Sequence, residues 1–259
     1  MRQLISPSQS PALAAALEEG ALAALAEVYA YPEQVKRGTP WLRANMVSSL
    51  DGAANLAGLS EGLSSEADKR IFGVLRALSD VVVVGAETVR AEGYRPARAR
   101  AEFQAARTAA GQGPAPAIAV VSRSLRLDLT APLFTDPLVP TVVITTEDAP
   151  GAARAAVAEV AELVTAGRGE VDLPAALAAL TVRGWTRQLT EGGPRLLAQL
   201  AAAGLLDELC LSLAPLLAAG DSPRITHGAA MAEAERMRLV SLIEQKGFLF
   251  ARYCRTAVS

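Results

Sequence analysis

The chain has 259 residues, of which 51% are hydrophobic and 20% are charged, so it holds enough apolar material for a large folded core. Its 25 basic and 27 acidic side chains give a formal net charge of −2 without a long run of one sign, which argues against a nucleic-acid-binding surface. One histidine and two cysteines cannot build the usual zinc sites or a disulfide scaffold, so we expect no metal.

The first forty residues predict an N-terminal helical arm (residues 1–40) ahead of a single domain (residues 41–259). Residues 12–29 are rich in alanine and leucine and contain paired glutamates, a pattern typical of a helix. Pro32, Gly38 and Pro40 then interrupt that pattern.

The domain is predicted to begin with a strand over residues 41–50, which the Asp51-Gly52 pair ends in a turn. Ser64 or Ser65 can cap a helix that runs to about Leu78, because apolar residues recur there at helical spacing.

A run of valines from Val81 to Val84, closed by Gly85, is typical of a strand that helices cover on both faces. Strand and helix patterns alternate after it, which predicts an α/β fold with a mostly parallel central sheet, helices on both faces and an antiparallel C-terminal edge pair. The further predicted strands are residues 117–121, 140–144, 188–190, 206–213 and 248–255, and the further predicted helices are residues 151–162, 173–183 and 195–203.

Two segments, residues 102–116 and 220–235, are predicted to be surface loops because turn residues are frequent in both. His227 lies in the second and lacks partners for a catalytic triad or a metal site, so it is interpreted as a loop residue. Cys210 and Cys254 lie in strand-like apolar stretches, which indicates reduced, buried thiols. With no membrane-spanning stretch and no signal-peptide pattern, we expect a soluble cytoplasmic protein.

Ligands of open α/β sheets bind beyond the carboxyl ends of the strands, so the residues that follow each strand are the candidates for a site. Glu191-Gly192-Gly193-Pro194 follows one predicted strand and begins the next helix. Its glycines would let the backbone approach a phosphate, and the first amides of the helix would face the anion. The alternative is a tight turn that needs glycine only for its backbone angles.

Ser122-Arg123-Ser124 follows another predicted strand and offers a guanidinium group with two hydroxyls. These groups can bind the 2′-phosphate of NADPH through charge-assisted hydrogen bonds. The alternative is that Arg123 is a solvated surface arginine without a ligand. Thr88, after Gly85, either bonds a ligand or caps a helix.

Ser49 and Asp51 place a hydroxyl and a carboxylate at the end of the first predicted strand of the domain, where they orient a polar substrate or merely shape a turn. The G-x-G-x-x-G, P-loop and G-x-S-x-G motifs are all missing. Their absence removes the main support for a standard Rossmann enzyme, a P-loop NTPase and a typical serine hydrolase.

Four segments resemble, in the same order, the riboflavin-biosynthesis pyrimidine reductase family, the reductase half of the bifunctional deaminase-reductase. They are NMVSSLDGAAN, VLRALSDVVVVGAETVRAE, AVVSRSLRL and LTEGGPRLLAQLAAAGLLDELCLSLAPLL. The resemblance runs from about Trp41 to the C-terminus, and the stretch over residues 191–209 is the most specific part of it. It implies a fold similar to that of dihydrofolate reductase.

The resemblance implies NADPH-dependent reduction of 5-amino-6-(5-phosphoribosylamino)uracil to its ribitylamino product. Hydride would reach the sugar carbon of the C=N bond in the ring-opened substrate, and a proton would reach the nitrogen. Neither the H-x-E nor the P-C-x-x-C zinc signature of the deaminase half occurs, so the chain is expected to catalyse only the reduction. Family members are commonly dimers, and we expect a homodimer.

The resemblance also assigns roles to individual residues. The substrate side falls on Ser49, Ser64 and Arg76, and Arg76 matches an arginine that holds the substrate phosphate. Asp51 and Glu92 are the candidate catalytic proton donors, with a water held by either as the alternative. The cofactor contacts fall on Gly85, Thr88, Ser122, Arg123, Glu191, Gly192, Gly193, Arg195 and Leu196.

Two departures from the family pattern bear on the substrate. Asn45 stands where many members have lysine, and the acidic D-D-P turn becomes Glu92-Gly93-Tyr94, so that Gly93 replaces the second aspartate. These changes leave two alternatives open: an NADPH-dependent reductase of another heterocycle, such as a dihydropterin, and a non-catalytic dinucleotide-binding protein.

Overall fold

A computed structural model of the chain describes residues 1–5 and 11–256. Its central feature is one sheet, formed in the described part of the chain by ten strands. In chain order these are β1 (Arg2–Ile5), β2 (Trp41–Ser48), β3 (Val81–Gly85), β4 (Ala117–Val121), β5 (Val142–Thr145), β6 (Glu162–Thr165), β7 (Arg187–Thr190), β8 (Glu208–Leu213), β9 (Met237–Gln245) and β10 (Phe248–Arg255).

The strand order across the sheet is β1-β9-β10-β8-β2-β7-β3-β4-β5-β6. From β8 to β6 every neighbouring pair is parallel, whereas β10 is antiparallel to both β8 and β9, and β1 is antiparallel to β9. The parallel strands therefore end at one common edge of the sheet, which is where ligands of such sheets bind.

Helices cover both faces of the sheet. The described helices are α1 (Pro11–Glu18), α2 (Leu22–Val28), α3 (Glu33–Lys36), α4 (Glu66–Leu78), α5 (Ala86–Ala91), α6 (Ala101–Ala109), α7 (Pro132–Thr135), α8 (Gly151–Ala158), α9 (Leu173–Val182) and α10 (Pro194–Ala202). A single 3-10 turn occupies Glu61–Leu63 within the described segments.

Strand β3 shows why the sequence of valines forms a central strand. Val82 and Val84 belong to the apolar core that contains helices α1, α2 and α4. Val81 and Val83 point to the opposite core, which contains helices α9 and α10. Because successive side chains of a strand alternate between faces, a strand with a core on each side needs apolar residues throughout.

The structure confirms the predicted α/β class and the helix that Ser65 caps, since the Ser65 hydroxyl accepts a hydrogen bond from the Asp68 amide at 3.2 Å. It also confirms the antiparallel pairing of the last two predicted strands, now β8 and β10. Strands β1, β6 and β9 were not predicted, and β9 and β1 extend the sheet beyond that pair.

The prediction of a loop over residues 102–116 was wrong in its first half, because Ala101–Ala109 forms helix α6. Phe103 and Arg107 on this helix are buried. The Arg107 guanidinium donates to the backbone oxygens of Ala77 and Ser79, each at 2.8 Å, so α6 is fixed against the end of α4. Residues 220–235 contain no helix or strand, as predicted.

Before position 41, the described residues form three short helices over residues 11–36, whereas Arg2–Ile5 forms strand β1, and these elements pack closely against the sheet. Leu17 and Leu25 are fully buried in the same core as α4, and β1 pairs with β9. The division of the chain at residue 40 stays a prediction. No helix in the described ranges has the length and apolar character needed to cross a membrane.

A buried cluster of charges joins the parallel and antiparallel parts of the sheet. Glu208 on β8 is fully buried and accepts hydrogen bonds from Trp41 at 2.9 Å, Arg43 at 3.1 Å and Arg252 at 2.6 Å. Burial by itself raises the pKa of Glu208, but the two guanidinium groups outweigh that effect and lower it. Arg252 also donates to the backbone oxygen of Val28 at 2.6 Å.

We expect Glu208→Gln to destabilise the fold strongly, because it leaves two arginines beside a neutral side chain in the core. Loss of one partner of a buried ion pair costs about 3–5 kcal/mol. Urea unfolding followed by tryptophan fluorescence measures the loss.

The control is Glu162→Gln, which breaks an ion pair with Arg183 whose two side chains are partly exposed to solvent. Such surface pairs contribute about 0–1 kcal/mol. Equal losses in the two variants would show that the Glu208 cluster has no special importance.

Candidate active site

A cleft of about 1090 Å³ lies at the edge of the sheet where the parallel strands end. Its walls contain residues at or just after the ends of β3, β4 and β7, together with parts of α4, α5 and α10. Most of the predicted site residues line it, namely Arg76, Gly85, Thr88, Glu92, Ser122, Arg123, Glu191, Gly193, Arg195 and Leu196.

Ser49 and Asp51 lie outside the lining of the cleft and bond to each other and to a neighbouring loop. The Asp51 carboxylate accepts hydrogen bonds from the Ser49 hydroxyl and from the backbone amides of Ala219, at 2.6 Å, and Ala218, at 3.1 Å. These donors stabilise the charged form and lower the pKa of Asp51 to about 2. Asp51 thus ties the end of β2 to the segment that follows β8.

Ser64 also lies outside the lining, at the start of α4. Its hydroxyl donates to the buried Asp68 carboxylate at 2.6 Å, and Ser212 on β8 donates to the same carboxylate at 2.5 Å. The Ser64 hydroxyl is therefore part of the contact between α4 and the sheet.

The Glu191-Gly192-Gly193-Pro194 turn packs closely against protein atoms. Gly192 has a φ of +78° and accepts a hydrogen bond from the Gly85 amide at 2.8 Å, and the peptide bond between Gly192 and Gly193 is cis. A Cβ at Gly193 would lie 2.6 Å from the Thr88 hydroxyl oxygen, and a Cβ at Gly192 would lie 3.2 Å from the Met46 sulfur. The contact with Thr88 at Gly193 and the positive φ of Gly192 therefore favour glycine at both positions, whatever the turn binds.

Arg76 and Glu191, which the resemblance assigns to different ligands, form a bidentate ion pair. The Nε and Nη2 atoms of Arg76 each donate to one carboxylate oxygen of Glu191 at 2.7 Å. The rings of Phe72 and Tyr94 lie 4.4 and 5.0 Å from the guanidinium group. Only 20% of the Arg76 side chain and 5% of that of Glu191 are exposed, so the two charges neutralise each other in the wall of the cleft.

Ser122 and Arg123 have different environments. The Ser122 hydroxyl accepts a hydrogen bond from the Leu125 amide at 3.1 Å and is buried. The Arg123 side chain is exposed, and within residues 1–5 and 11–256 it has no hydrogen bond or ion pair. Arg123 is therefore available to an anionic ligand.

The sequence over residues 40–246 matches the RibD C-terminal domain family. The chain belongs to this family. A relative from Archaeoglobus fulgidus, named 2,5-diamino-6-ribosylamino-4(3H)-pyrimidinone 5′-phosphate reductase, is 32% identical over 83% of this chain and 99% of its own. A protein of the same name from Methanothermobacter thermautotrophicus is 32% identical over 77% of this chain and 91% of its own.

The fold of this RibD C-terminal domain is similar to that of a pyrimidine reductase-like protein from Corynebacterium diphtheriae. The TM-score is 0.82 at 26% identity, over 90% of this chain and 99% of the other. The predicted membership of the pyrimidine reductase family and the dihydrofolate-reductase-like fold are thus confirmed.

Several residues of this RibD C-terminal domain that line the cleft were not predicted as site residues. Phe72 and Arg76 are four residues apart on α4, a helical spacing at which side chains meet, so the sequence contained a signal for that contact. His227 is a loop residue, as predicted, but it lines the cleft, and its amide donates to the Pro194 oxygen at 3.1 Å. Nothing in the sequence placed that loop beside α10.

The two departures from the family pattern have separate positions. Asn45 lies on β2 opposite Cys210 of β8 and is not part of the cleft lining. Gly93 lines the cleft with a φ of +58°, and the neighbouring Glu92 carboxylate accepts a hydrogen bond from the Ser60 amide at 3.0 Å. Among the described residues, no group of three or more His, Cys, Asp or Glu is arranged to hold a metal ion.

We expect Asp51→Ala to lower the stability of the fold, because three hydrogen-bond donors lose their acceptor. Asp51→Asn should lower it less, since the amide oxygen still accepts. The pKa of Asp51 is depressed in the folded chain, so the contribution of Asp51 is present above its unfolded value of 3.8 and is lost as the pH falls towards about 2.

Urea unfolding of the three proteins at a series of pH values tests this expectation. The difference between the native chain and Asp51→Ala should shrink on acidification. A difference that grows as the pH falls would contradict the assigned hydrogen bonds.

We expect Gly193→Ala to destabilise the chain by about 1–3 kcal/mol, the usual cost of an overpacked site. The reason is the 2.6 Å approach of its Cβ to the Thr88 hydroxyl oxygen. Combination with Thr88→Ala removes that oxygen, so thermal unfolding of the double variant should show a smaller loss than the sum of the two single losses. Additive losses would argue against the contact.

Proposed function

We propose that this chain is an NADPH-dependent reductase of a phosphorylated ribosylamino-pyrimidine in riboflavin biosynthesis. The observation that carries the proposal is the cleft at the carboxyl edge of the parallel strands, whose lining contains eight of the nine residues assigned to the cofactor, together with Arg76 and Glu92. Membership of the RibD C-terminal domain family and the names of the two archaeal relatives support it.

Two pyrimidines are candidate substrates, and they share the ribosylamino 5′-phosphate. The first is 5-amino-6-(5-phosphoribosylamino)uracil, which the sequence resemblance implies. The second is the 2,5-diamino-pyrimidinone after which the archaeal relatives are named, and that name favours it for this chain. Steady-state NADPH oxidation with each pyrimidine, and with a dihydropterin, distinguishes these substrates.

Turnover of only the dihydropterin would contradict the proposal. Tight NADPH binding without turnover of any of the three would indicate a non-catalytic dinucleotide-binding protein. We also infer a homodimer from the resemblance and a cytoplasmic location from the sequence pattern, and sedimentation velocity of the purified chain measures its oligomeric state.

The cleft residues fit a dinucleotide that carries a terminal phosphate. Gly193 is the N-cap of α10 and supplies no capping side chain, so the first amides of that helix are left for an anion such as the diphosphate. The Thr88 hydroxyl faces Gly193, and the unpaired Arg123 would bind the 2′-phosphate. When bound, the nicotinamide supplies the hydride that reduces the C=N bond.

The chain itself would position the substrate and supply a proton. We propose Glu92 for the proton, because its carboxylate lines the cleft and the Ser60 amide orients it. Asp51 lies outside the lining and its carboxylate is occupied by backbone amides, so we propose that it shapes the loop beside the cleft. The proton adds to the nitrogen as hydride adds to the carbon, which leaves an amine.

We expect Arg123→Ala to weaken NADPH binding by about 10- to 100-fold, because charge-assisted hydrogen bonds contribute about 1.5–3 kcal/mol. Binding of NADH, which lacks the 2′-phosphate, should change little. Fluorescence titration with each cofactor measures both constants, and Arg126→Ala, an exposed position outside the cleft lining, serves as the control. Equal losses for the two cofactors would contradict the assignment of Arg123.

A further inference from the structure

The carboxylates in the wall of the cleft differ in whether hydrogen-bond donors of the protein already occupy them. Those of the described residues that line it are Glu87, Glu92, Glu170, Glu191 and Asp221. A carboxylate whose oxygens are already bonded has little capacity left for a ligand, whereas an unpaired one can accept two parallel N–H bonds. The unpaired carboxylates therefore show where a ligand with N–H groups can bind.

Three of these carboxylates have partners within the protein. Each oxygen of Glu191 accepts a hydrogen bond from Arg76 at 2.7 Å. Glu92 accepts a hydrogen bond from the Ser60 amide at 3.0 Å. Glu87 lies 3.5 Å from a guanidinium group of α10 in an exposed ion pair. Protein donors thus already satisfy part or all of their accepting capacity.

Glu170 and Asp221 remain, and in the described part of the chain neither side chain has a hydrogen bond or an ion pair. They belong to different sides of the cleft. Glu170 follows β6, on the same side of β3 as Arg123, the residue proposed for the 2′-phosphate of the cofactor. Asp221 follows β8, which lies beside β2, and four strands separate β2 from β6. Asp221 is therefore the unpaired carboxylate on the side away from Arg123.

Hydrogen bonds on both sides of Asp221 along the chain fix its position. Just before it, the backbone amides of residues 218–219 donate to the Asp51 carboxylate. Just after it, the Ser222 hydroxyl donates to the backbone oxygen of Asn55 at 3.0 Å. The segment that contains Asp221 is thus attached to the loop between β2 and α4, and the carboxylate stands on a defined wall of the cleft.

The same loop between β2 and α4 also meets the proposed proton donor. Asn55, which bonds the segment of Asp221, and Ser60, whose amide bonds Glu92, both belong to it and both line the cleft. One loop therefore links the two carboxylates. A ring that reaches Glu92 with one edge can meet Asp221 with another.

We infer that Asp221 binds the C2–N3 edge of the substrate pyrimidine and selects a 2-amino-pyrimidinone over a uracil. The inference rests on the proposed function and names the substrate class of that site. In a 2-amino-4(3H)-pyrimidinone, the N3–H and the 2-amino group are adjacent donors that match the two oxygens of a carboxylate. A uracil has a carbonyl oxygen at C2, which repels the carboxylate because both groups only accept hydrogen bonds.

The position of the reacting atom in the pyrimidine agrees with this assignment. The nitrogen that takes the proton is attached to C6, which lies across the ring from N3. A ring that presents this nitrogen to Glu92 has its N3–H and 2-amino groups at the far edge. Asp221 supplies the unpaired acceptor that this edge requires.

The test compares the two phosphorylated pyrimidines, the 2,5-diamino compound and the uracil, at saturating NADPH. We expect the native chain to have the higher kcat/KM for the diamino compound. Asp221→Asn should lower that value about 10- to 100-fold, the size of a lost charge-assisted contact, and should leave the value for the uracil unchanged or higher. Asp221→Ala should also lower the ratio of the two values. A general loss of activity or stability cancels in this ratio.

Two further variants make the comparison specific. Glu233→Gln changes an exposed carboxylate of the same segment that does not line the cleft, and it should behave like the native chain. Glu170→Gln changes the other unpaired carboxylate of the cleft, and it should leave the ratio of the two kcat/KM values unchanged.

Three outcomes would overturn the assignment. These are a native preference for the uracil, a ratio in Asp221→Asn equal to that of the native chain, or a shift of the ratio in Glu170→Gln as large as that in Asp221→Asn. If the native chain reduces neither pyrimidine, the proposed function is wrong.

Calorimetry with the ribose-free bases then still decides the role of Asp221. The probes are 2,5,6-triamino-4(3H)-pyrimidinone and 5,6-diaminouracil. Tighter binding of the triamino base to the native chain than to Asp221→Asn supports the inference, provided that the diaminouracil does not show the same difference. Equal binding of the triamino base to both proteins overturns it.

Discussion

Glu208 sets the constraint on which the arrangement of the sheet depends. A carboxylate with no solvent contact must be neutralised, and its two arginines come from β2 on one side and β10 on the other. Arg252 also reaches the backbone of the N-terminal segment at Val28. One buried charge thus links β2 and β10 to β8, and through Arg252 it is connected to the end of α2.

The elements that were predicted correctly have local causes. The valines of β3 pack into the cores on both faces of the sheet. The Ser65 hydroxyl caps α4 by accepting a hydrogen bond from the amide of Asp68, only three residues later in the chain. Strand β1 has four residues, mostly exposed, and it becomes a strand only because β9 lies beside it. Helix α6 was missed because its buried face consists of little more than Phe103 and Arg107, and the carbonyls that Arg107 contacts belong to a distant part of the chain. Patterns within a segment cannot reveal a partner of that kind.

In the site, too, features with a local cause in the sequence were predictable, whereas contacts between distant parts of the chain were not. The turns that follow β3, β4 and β7 were identified from the sequence, and parallel strand order brings them to one cleft. The pairing of Arg76 with Glu191 joins residues 115 positions apart, and it depends on α4 packing beside the end of β7. The residue types suggested a ligand for each of them. Only the folded chain shows that Arg76 and Glu191 form an ion pair with each other. Within the described residues, the unpaired side chain of Arg123 can be recognised only after such internal pairs have been identified.

The two cysteines have a consequence for how the protein responds to its chemical surroundings. Cys210 and Cys254 are both buried and unbridged, and burial raises the pKa of both thiols. Since alkylating agents and peroxides react with the thiolate, the native chain offers them no ready target. Modification of either sulfur should require the sheet to open, so the rate of labelling by an electrophile reports the frequency of that opening.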